Sequence, residues 1–381
     1  MLCQSAQSLT YGGIALFLPL IREELGLTFT EAGSLAAASL AVYCVMQIPA
    51  GYLADRLATK GVFAVGVLGT NLLALVLGQL HLLTQMVATQ AASGFFRALV
   101  FTPGLVLASG LFPPHRRATA MGLYVAGGFS SNVFLYALGP ILVQPLGWRG
   151  LFSVFGGLGL LVLFAFWRYG PPEPRRSGDR LPAPTELLRL LRQPVLPLVG
   201  TLQFVRVAVV SGVGFWLPTF LVVDRGLSLQ LAGLFVAVGA ACTAPANLIG
   251  GYLSDRTRRP LAVIGGSLVA LASTTFLLAR VEDVALLLAV VATNAFFIQF
   301  YIGPLFSIPV DVYGQRTAGL TSGFANLSGN IGGFAFVYAL GAVKDATGSF
   351  SAGLSLLSAV CLIGLGCNAL LARALRDRAA A

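Results

Sequence analysis

The sequence has few charged residues and almost no histidine. Charged side chains make up 10% of its 381 residues, and its two histidines are His81 and His115. A soluble domain carries about 25% charged residues. The Gly-Lys-Ser loop that cradles nucleotide phosphates is absent, which argues against ATP hydrolysis by this chain. All fourteen acidic residues lie outside the long apolar runs or near their ends, so we predict that the chain is not an enzyme with a buried catalytic carboxylate.

Long apolar runs account for most of the chain, which is 57% hydrophobic. A helix needs about 20 apolar residues to cross a bilayer, and these runs lack the alternation of membrane barrel strands. The first run has no basic stretch before Arg22 and no clear cleavage site, so we interpret it as a retained helix. The predicted spans are about 3–21, 31–54, 61–80, 84–111, 118–143, 149–168, 195–222, 229–254, 260–279, 283–307, 317–342 and 350–372. The sequence therefore predicts an all-α polytopic membrane protein with twelve transmembrane helices.

Five cysteines all fall within these spans, at no spacing typical of metal ligands. They are Cys3, Cys44, Cys242, Cys361 and Cys367. We predict free buried thiols that act as small hydrophobic side chains. Because the spans also lack histidine, the sequence predicts no metal site and no cofactor.

Basic residues outnumber acidic ones by 24 to 14, and the resulting formal charge of +10 is compatible with nucleic-acid binding. Their distribution indicates a membrane instead. With the N-terminus in the cytoplasm, the cytoplasmic connections hold seventeen of the 24 basic residues and the opposite side holds five. Such an excess is typical of the cytoplasmic side. We therefore predict a multi-pass protein of the cytoplasmic (inner) membrane, with both termini in the cytoplasm, and with the lipid bilayer and no nucleic acid as partner.

A repeat of about 200 residues divides the chain. The stretch GYLADR at 51–56 returns as GYLSDR at 251–256, an offset of 200. The stretch RRATAMG from Arg116 resembles QRTAGLTSG from Gln315 at nearly the same offset. These matches occupy the same place in each half, so they predict two pseudo-symmetric six-helix bundles.

The predicted bundles cover 1–168 and 195–381, the second including a cytoplasmic tail. Between them, residues 169–194 are rich in proline and arginine. We predict that this stretch is a cytoplasmic linker, in which TELLRLLR forms a short amphipathic helix on the membrane surface.

The duplicated loop resembles the G-x-L-a-D-r-x-G-r-k signature of the major facilitator superfamily of secondary transporters. The matching residues are Gly51, Leu53, Asp55, Arg56, Lys60, Gly251, Leu253, Asp255, Arg256 and Arg259. The resemblance implies two six-helix bundles that work by alternating access, with the substrate site between them at mid-membrane. It also implies that the first, fourth, seventh and tenth spans line the cavity.

The same loop has a physical interpretation. Its glycine lets a neighbouring helix approach to backbone distance, and its aspartate can accept hydrogen bonds at a helix N-terminus in the other half. The resemblance implies that these contacts latch the outward-facing state. The alternative is that the aspartates only cap and solvate a loop. The predicted gating residues are Gly51, Asp55, Arg56, Gly251, Asp255 and Arg256.

Two arginines lie near the middle of predicted spans. Arg97 is about 13 residues into the fourth span and Arg206 about 11 residues into the seventh. At 1.5 Å per residue each stands near the midplane, where a charge costs about 2.5–3.5 kcal/mol. No carboxylate lies at this depth. Either each guanidinium bonds to carbonyl, hydroxyl and amide oxygens, or the missing counter-ion is an anionic substrate held by the guanidinium fork.

The repeat favours the substrate. Arg206 aligns with about Gln7 and Arg97 with about Phe297, so the arginines are not equivalent positions with one shared architectural role. Other polar residues on the cavity spans join the candidates, although an interhelical hydrogen bond is the alternative for each. The predicted substrate-binding residues are Arg97, Arg206, Tyr11, Gln203, Asn294 and Tyr301.

We therefore predict a monomeric secondary active transporter of a small organic anion, in particular a carboxylate. A coupling proton, exchange against a counter-anion and facilitated diffusion all stay open. The alternative is proton-coupled efflux of drugs or other amphipathic compounds. Against it stand the lack of an acidic cavity residue and the stretch YALGPILVQPLG, which keeps only the Gly-Pro of the exporter motif. An alternative of another class is a membrane receptor that transports nothing.

Overall fold

A computed structural model describes residues 2–110, 117–170, 189–313 and 318–380, and these residues are almost entirely helical. Twelve helices are present in these ranges. They are α1 (Leu2–Leu25), α2 (Phe29–Arg56), α3 (Thr59–Leu77), α4 (Leu83–Gly110), α5 (Arg117–Tyr169), α6 (Val195–Val223), α7 (Leu229–Thr257), α8 (Pro260–Arg280), α9 (Val284–Phe300), α10 (Ile302–Tyr313), α11 (Ala318–Thr347) and α12 (Phe350–Ala380). The prediction of an all-α fold is confirmed. Most of the predicted linker helix lies outside the described residues, apart from a helical turn at 189–191.

The helices correspond to the predicted spans with two differences. Helix α5 contains the fifth and sixth spans, which meet at Gly147, where φ 65° and ψ 166° interrupt the helical backbone. The tenth span is divided at Tyr301 into α9 and α10. Within the described ranges, eight helical stretches are long and apolar enough to cross a membrane by length and composition alone. The helices α1, α4 and α11 fall below that criterion because polar residues interrupt their apolar sequence.

The chain forms two compact units. One comprises Met1–Gly178 with Phe215–Ala240, and the other comprises Asp179–Gly214 with Ala241–Ala381. In the first unit, α1 packs along α5, α2 packs along α4, and α3 contacts both α4 and α5. In the second unit, α8 packs against α9, α10 and α12, and α11 against α10 and α12. The chain of α6 crosses from the second unit to the first at residues 214–215.

Turns near the duplicated helix ends repeat the same local structure. Gly26 follows α1 with φ 62°, and Gly226 follows α6 with φ 66°, a left-handed conformation that favours glycine. Two residues later, the Thr28 side chain accepts a hydrogen bond from the Glu31 N–H and the Ser228 side chain from the Leu231 N–H. Such hydroxyl caps satisfy backbone donors at a helix start. The offset of 200 residues is thus visible in backbone conformation as well as in sequence.

Every second connection between spans, beginning with the one after the first span, is short. Between α1 and α2, α3 and α4, α6 and α7, α8 and α9, and α11 and α12, none exceeds five residues, and Gly147 alone separates the two spans within α5. Near one of them, Glu24 at the end of α1 accepts hydrogen bonds from the Trp148 Nε1 at 2.6 Å and the Arg149 Nε at 3.0 Å. This ion pair fixes the end of α1 to α5.

Candidate functional site

Arg206 lies in a buried polar cluster on α6. Its side chain is 8% exposed, and its Nε donates to the Gln203 Oε1 at 2.9 Å. The two residues are three apart, so they share a face of the helix. This bond assigns the Gln203 amide, because only its oxygen can accept from a guanidinium. The Gln203 nitrogen therefore points elsewhere as a donor, and among the described residues nothing accepts its hydrogens.

Tyr301 completes the cluster from the break between α9 and α10. It is 0% exposed, and its hydroxyl lies close enough to Arg206 for the two side chains to interact electrostatically. Within the described ranges, that hydroxyl has no hydrogen-bond partner. Leaving a buried donor unpaired costs about 1–3 kcal/mol. Beside the Arg206 guanidinium, the Gln203 Nε2 and the Tyr301 hydroxyl are therefore two buried donors with no acceptor among the described residues.

The glycine-rich face of α11 holds the helix that carries this cluster. A side chain at Gly329 would meet Val207 and Gln203, and one at Gly332 would meet the carbonyl oxygen of Phe204. Small residues allow such backbone-to-backbone approach within a membrane. The stretch thus acts in packing and fixes where Gln203 and Arg206 stand along α6.

Arg97 on α4 has a different environment in the first unit. Its guanidinium carbon lies 3.8 Å from the centre of the Tyr11 ring and 5.0 Å from the centre of the Tyr43 ring. Its Nη1 donates to the Ser39 Oγ at 3.1 Å. Aromatic faces attract a cation through their negative quadrupole. Arg97 is therefore held by two rings and one hydroxyl, without a carboxylate.

Two of these partners were missed by the sequence reasoning. Ser39 and Tyr43 lie four residues apart in the second span, a spacing that places both on one face of α2. That polar pair was the available signal. The helices approach closely here, because a side chain at Gly94 of α4 would clash with the backbone of Ser39.

Asn294 lies apart from both arginines in its contacts. Its Nδ2 donates to the Thr274 Oγ1 at 2.9 Å and the Thr275 Oγ1 at 3.0 Å, and its side chain is 2% exposed. Both amide hydrogens are thus used in a contact between α9 and α8, which is the alternative considered for every candidate. We leave Asn294 out of the proposed site for this reason.

The gating candidates are described only in the second copy of the motif, since the side chains of Gly51, Asp55 and Arg56 lie outside the described part of the chain. Asp255 is exposed, and Arg256 donates to the Tyr252 hydroxyl at 2.9 Å.

The tightest approach near the end of α7 falls at Gly250, the residue before Gly251. A side chain at Gly250 would clash with the carbonyl oxygen of Phe300, whereas one at Gly251 would meet nothing within 4 Å. The Gly251 backbone is also close to a neighbouring helix, because its Cα would lie 3.7 Å from a side chain placed at Gly303 of α10.

The described residues contain no group of three or more His, Cys, Asp or Glu side chains that could hold a metal ion. None of the five cysteines forms a disulfide bond in the part of the chain that the structure describes. The chemistry of the two clusters is therefore hydrogen-bond donation and fixed positive charge.

Comparison of the sequence with protein families agrees with this arrangement of helices. Residues 1–337 match the model of the Major Facilitator Superfamily. This chain therefore belongs to the Major Facilitator Superfamily, and it is a multi-pass membrane transporter, not an enzyme.

Individual relatives cover nearly the whole chain. The D-galactonate transporter of Escherichia coli O6:H1 (strain CFT073) is 27% identical over 378 residues, which cover 90% of this chain and 87% of that protein. The probable sulfoacetate transporter SauU of Cupriavidus necator (strain ATCC 17699) is 29% identical over 394 residues, covering 93% and 87%. The inward-facing, occupied crystal structure of a bacterial homolog of the human lysosomal transporter Spinster gives a TM-score of 0.86 at 17% identity, covering 99% and 96%, and shows the shared fold.

Proposed function

We propose that this chain moves a small organic anion, in particular a carboxylate, across the cytoplasmic membrane by alternating access. The observation that carries the proposal is the Arg206 cluster. Within the described part of the chain, a cation that is 8% exposed makes one hydrogen bond, to a neutral amide, and stands beside two buried donors without acceptors.

An anion with two or more oxygens can accept hydrogen bonds from these donors. The terminal nitrogens of a guanidinium form two parallel hydrogen bonds with a carboxylate. The Gln203 Nε2 and the Tyr301 hydroxyl supply further donors to the same group. Such bonds are stronger away from water, because a low dielectric constant increases the strength of electrostatic interactions. We propose Arg206, Gln203 and Tyr301 as substrate-binding residues.

Arg97 is proposed as the second cation for the substrate, with Tyr11 as its neighbour. The two rings and the Ser39 hydroxyl hold the guanidinium in one orientation without neutralising its charge. Ordering of this kind lowers the entropy lost when an anion binds. The names of two relatives support an anion as well, since galactonate and sulfoacetate are both organic anions.

The orientation proposed is that both termini are cytoplasmic, in the inner membrane of a bacterial cell, and that the protein acts as a monomer in the bilayer. The distribution of basic residues supports this orientation, with seventeen on the side that holds the termini and five on the other.

A ligand screen tests the proposed substrate class. We expect purified protein to be stabilised against heat by sugar acids or by mono- and dicarboxylates, because a ligand that binds only the folded state raises its melting temperature. Inorganic anions at equal ionic strength control for screening of charge. Stabilisation by cationic drugs alone, with none from any anion, would overturn the proposal and favour drug efflux.

The gating proposal rests on the duplicated motif. Replacing Asp55 or Asp255 with Asn is expected to shift the ratio of inward- to outward-facing molecules about 2- to 5-fold, because interaction of a carboxylate with a helix N-terminus contributes about 0.3–1 kcal/mol. Distances between spin labels on the two sides of the membrane report that ratio. Asp377→Asn, in the tail of α12, is the control. An unchanged ratio in both variants would leave the aspartates as loop caps.

A further inference from the structure

We propose that this transporter is an anion exchanger: its return across the membrane requires a second anion, and it moves poorly when empty. The inference rests on the proposed function, since it concerns the same cationic site. One anion would leave for each anion of equal charge that enters, so that the binding cluster is occupied on both legs of the cycle.

Without an anion, the cluster holds a buried positive charge. Arg206 is 8% exposed, and within the described ranges its only hydrogen bond is the one to Gln203. Tyr301, which interacts with Arg206, is uncharged. Among the residues that the structure describes, no carboxylate pairs with Arg206, so its charge is offset only when an anion is bound.

The chain has no acidic residue at mid-membrane that could take the place of the departed anion. A carrier with an acidic residue at mid-membrane can form an internal ion pair after its substrate leaves. Here all fourteen acidic residues lie in connections or near helix ends, and both histidines lie in connections. Neither a carboxylate nor a histidine at that depth is available to neutralise the cation or to carry a coupling proton. A second anion is the remaining partner.

The environment of Arg97 differs from that of Arg206. Tyr11, Tyr43 and Ser39 hold that guanidinium in place, so its environment depends less on a bound ligand. Alternating access passes through an occluded state in which water is removed from the site. Removing water from a charge without a partner is far more costly than removing it from a paired one. The penalty for an empty return therefore falls on Arg206.

Proteoliposomes measure the difference directly, with labelled D-galactonate as the probe. Uptake into vesicles preloaded with unlabelled D-galactonate is expected to be at least 20-fold faster than uptake into empty vesicles. A pH gradient or a potassium diffusion potential should not close that gap. Equal rates into empty and loaded vesicles, with or without a gradient, would overturn the exchange mechanism while leaving anion transport established.

Variants make the test specific. Arg206→Gln, assayed at a raised D-galactonate concentration, is expected to bring the ratio of loaded to empty rates close to 1, because the empty site no longer carries the charge. Arg280→Gln removes the same charge from an exposed position in α8 and should keep the ratio of the unmodified protein. An unchanged ratio in Arg206→Gln would also contradict the inference. If no organic anion moves under either condition, the proposed function fails and the exchange mechanism with it.

Discussion

Arg206→Gln is expected to weaken anion binding about 100-fold, or about 2.8 kcal/mol at 1.4 kcal/mol per factor of ten. The guanidinium is the only charged member of its cluster, and breaking a buried charge-assisted pair costs about 2–5 kcal/mol. Titration calorimetry, or the concentration dependence of thermal stabilisation, measures the change. Arg206→Lys should recover part of the affinity, since it keeps the charge but loses the planar fork.

The same variant separates binding from folding. Without an anion, Arg206→Gln is expected to be at least as heat-stable as the unmodified protein, because it removes a buried charge that has no carboxylate partner. Arg280→Gln is the matched control, as Arg280 is exposed and lies over the Phe276 ring at 4.8 Å. Undiminished affinity in Arg206→Gln would place the anion elsewhere.

Gly94→Ala is expected to destabilise the first unit by about 1–3 kcal/mol, the usual cost of overpacking. The new methyl group would clash with the backbone of Ser39 and come within 3.1 Å of the Tyr43 nitrogen. The helices α2 and α4 would have to move apart, which would take Ser39 and Tyr43 away from Arg97. We therefore expect transport to fall together with the melting temperature.

The matched control for this prediction is Gly157→Ala in α5. A side chain there would meet nothing within 4 Å, and alanine favours helix over glycine by about 1 kcal/mol. Its melting temperature should be unchanged or higher. Similar behaviour of the two variants would mean that α2 and α4 tolerate separation at Gly94.

Hydrophobicity alone located the spans, because the bilayer imposes one requirement of length and polarity on every crossing segment. The repeat also appears in the backbone, since Gly26 and Gly226, 200 residues apart, both adopt a left-handed conformation. Helical periodicity also paired Gln203 with Arg206, since residues three apart share a face whatever the rest of the fold does.

Contacts between helices were beyond that reasoning. The sequence does not say which way a helix is rotated, and rotation decides that Asn294 faces Thr274 and Thr275. Rotation likewise decides that Gly250 faces the Phe300 carbonyl oxygen, whereas Gly251 lies near Gly303. The rings around Arg97 come from two different helices, so Tyr43 could be recognised only once α2 was known to pack along α4.

The brevity of the alternating connections has a practical consequence for reagents. Five of these connections have five residues or fewer, and the sixth is Gly147 alone. The side of the membrane that they face therefore exposes almost no loop. An antibody fragment or a synthetic binder would have to recognise the ends of several helices at once. Such an epitope changes whenever the helices shift, so binders raised against that side should select single conformations and serve as tools for trapping them.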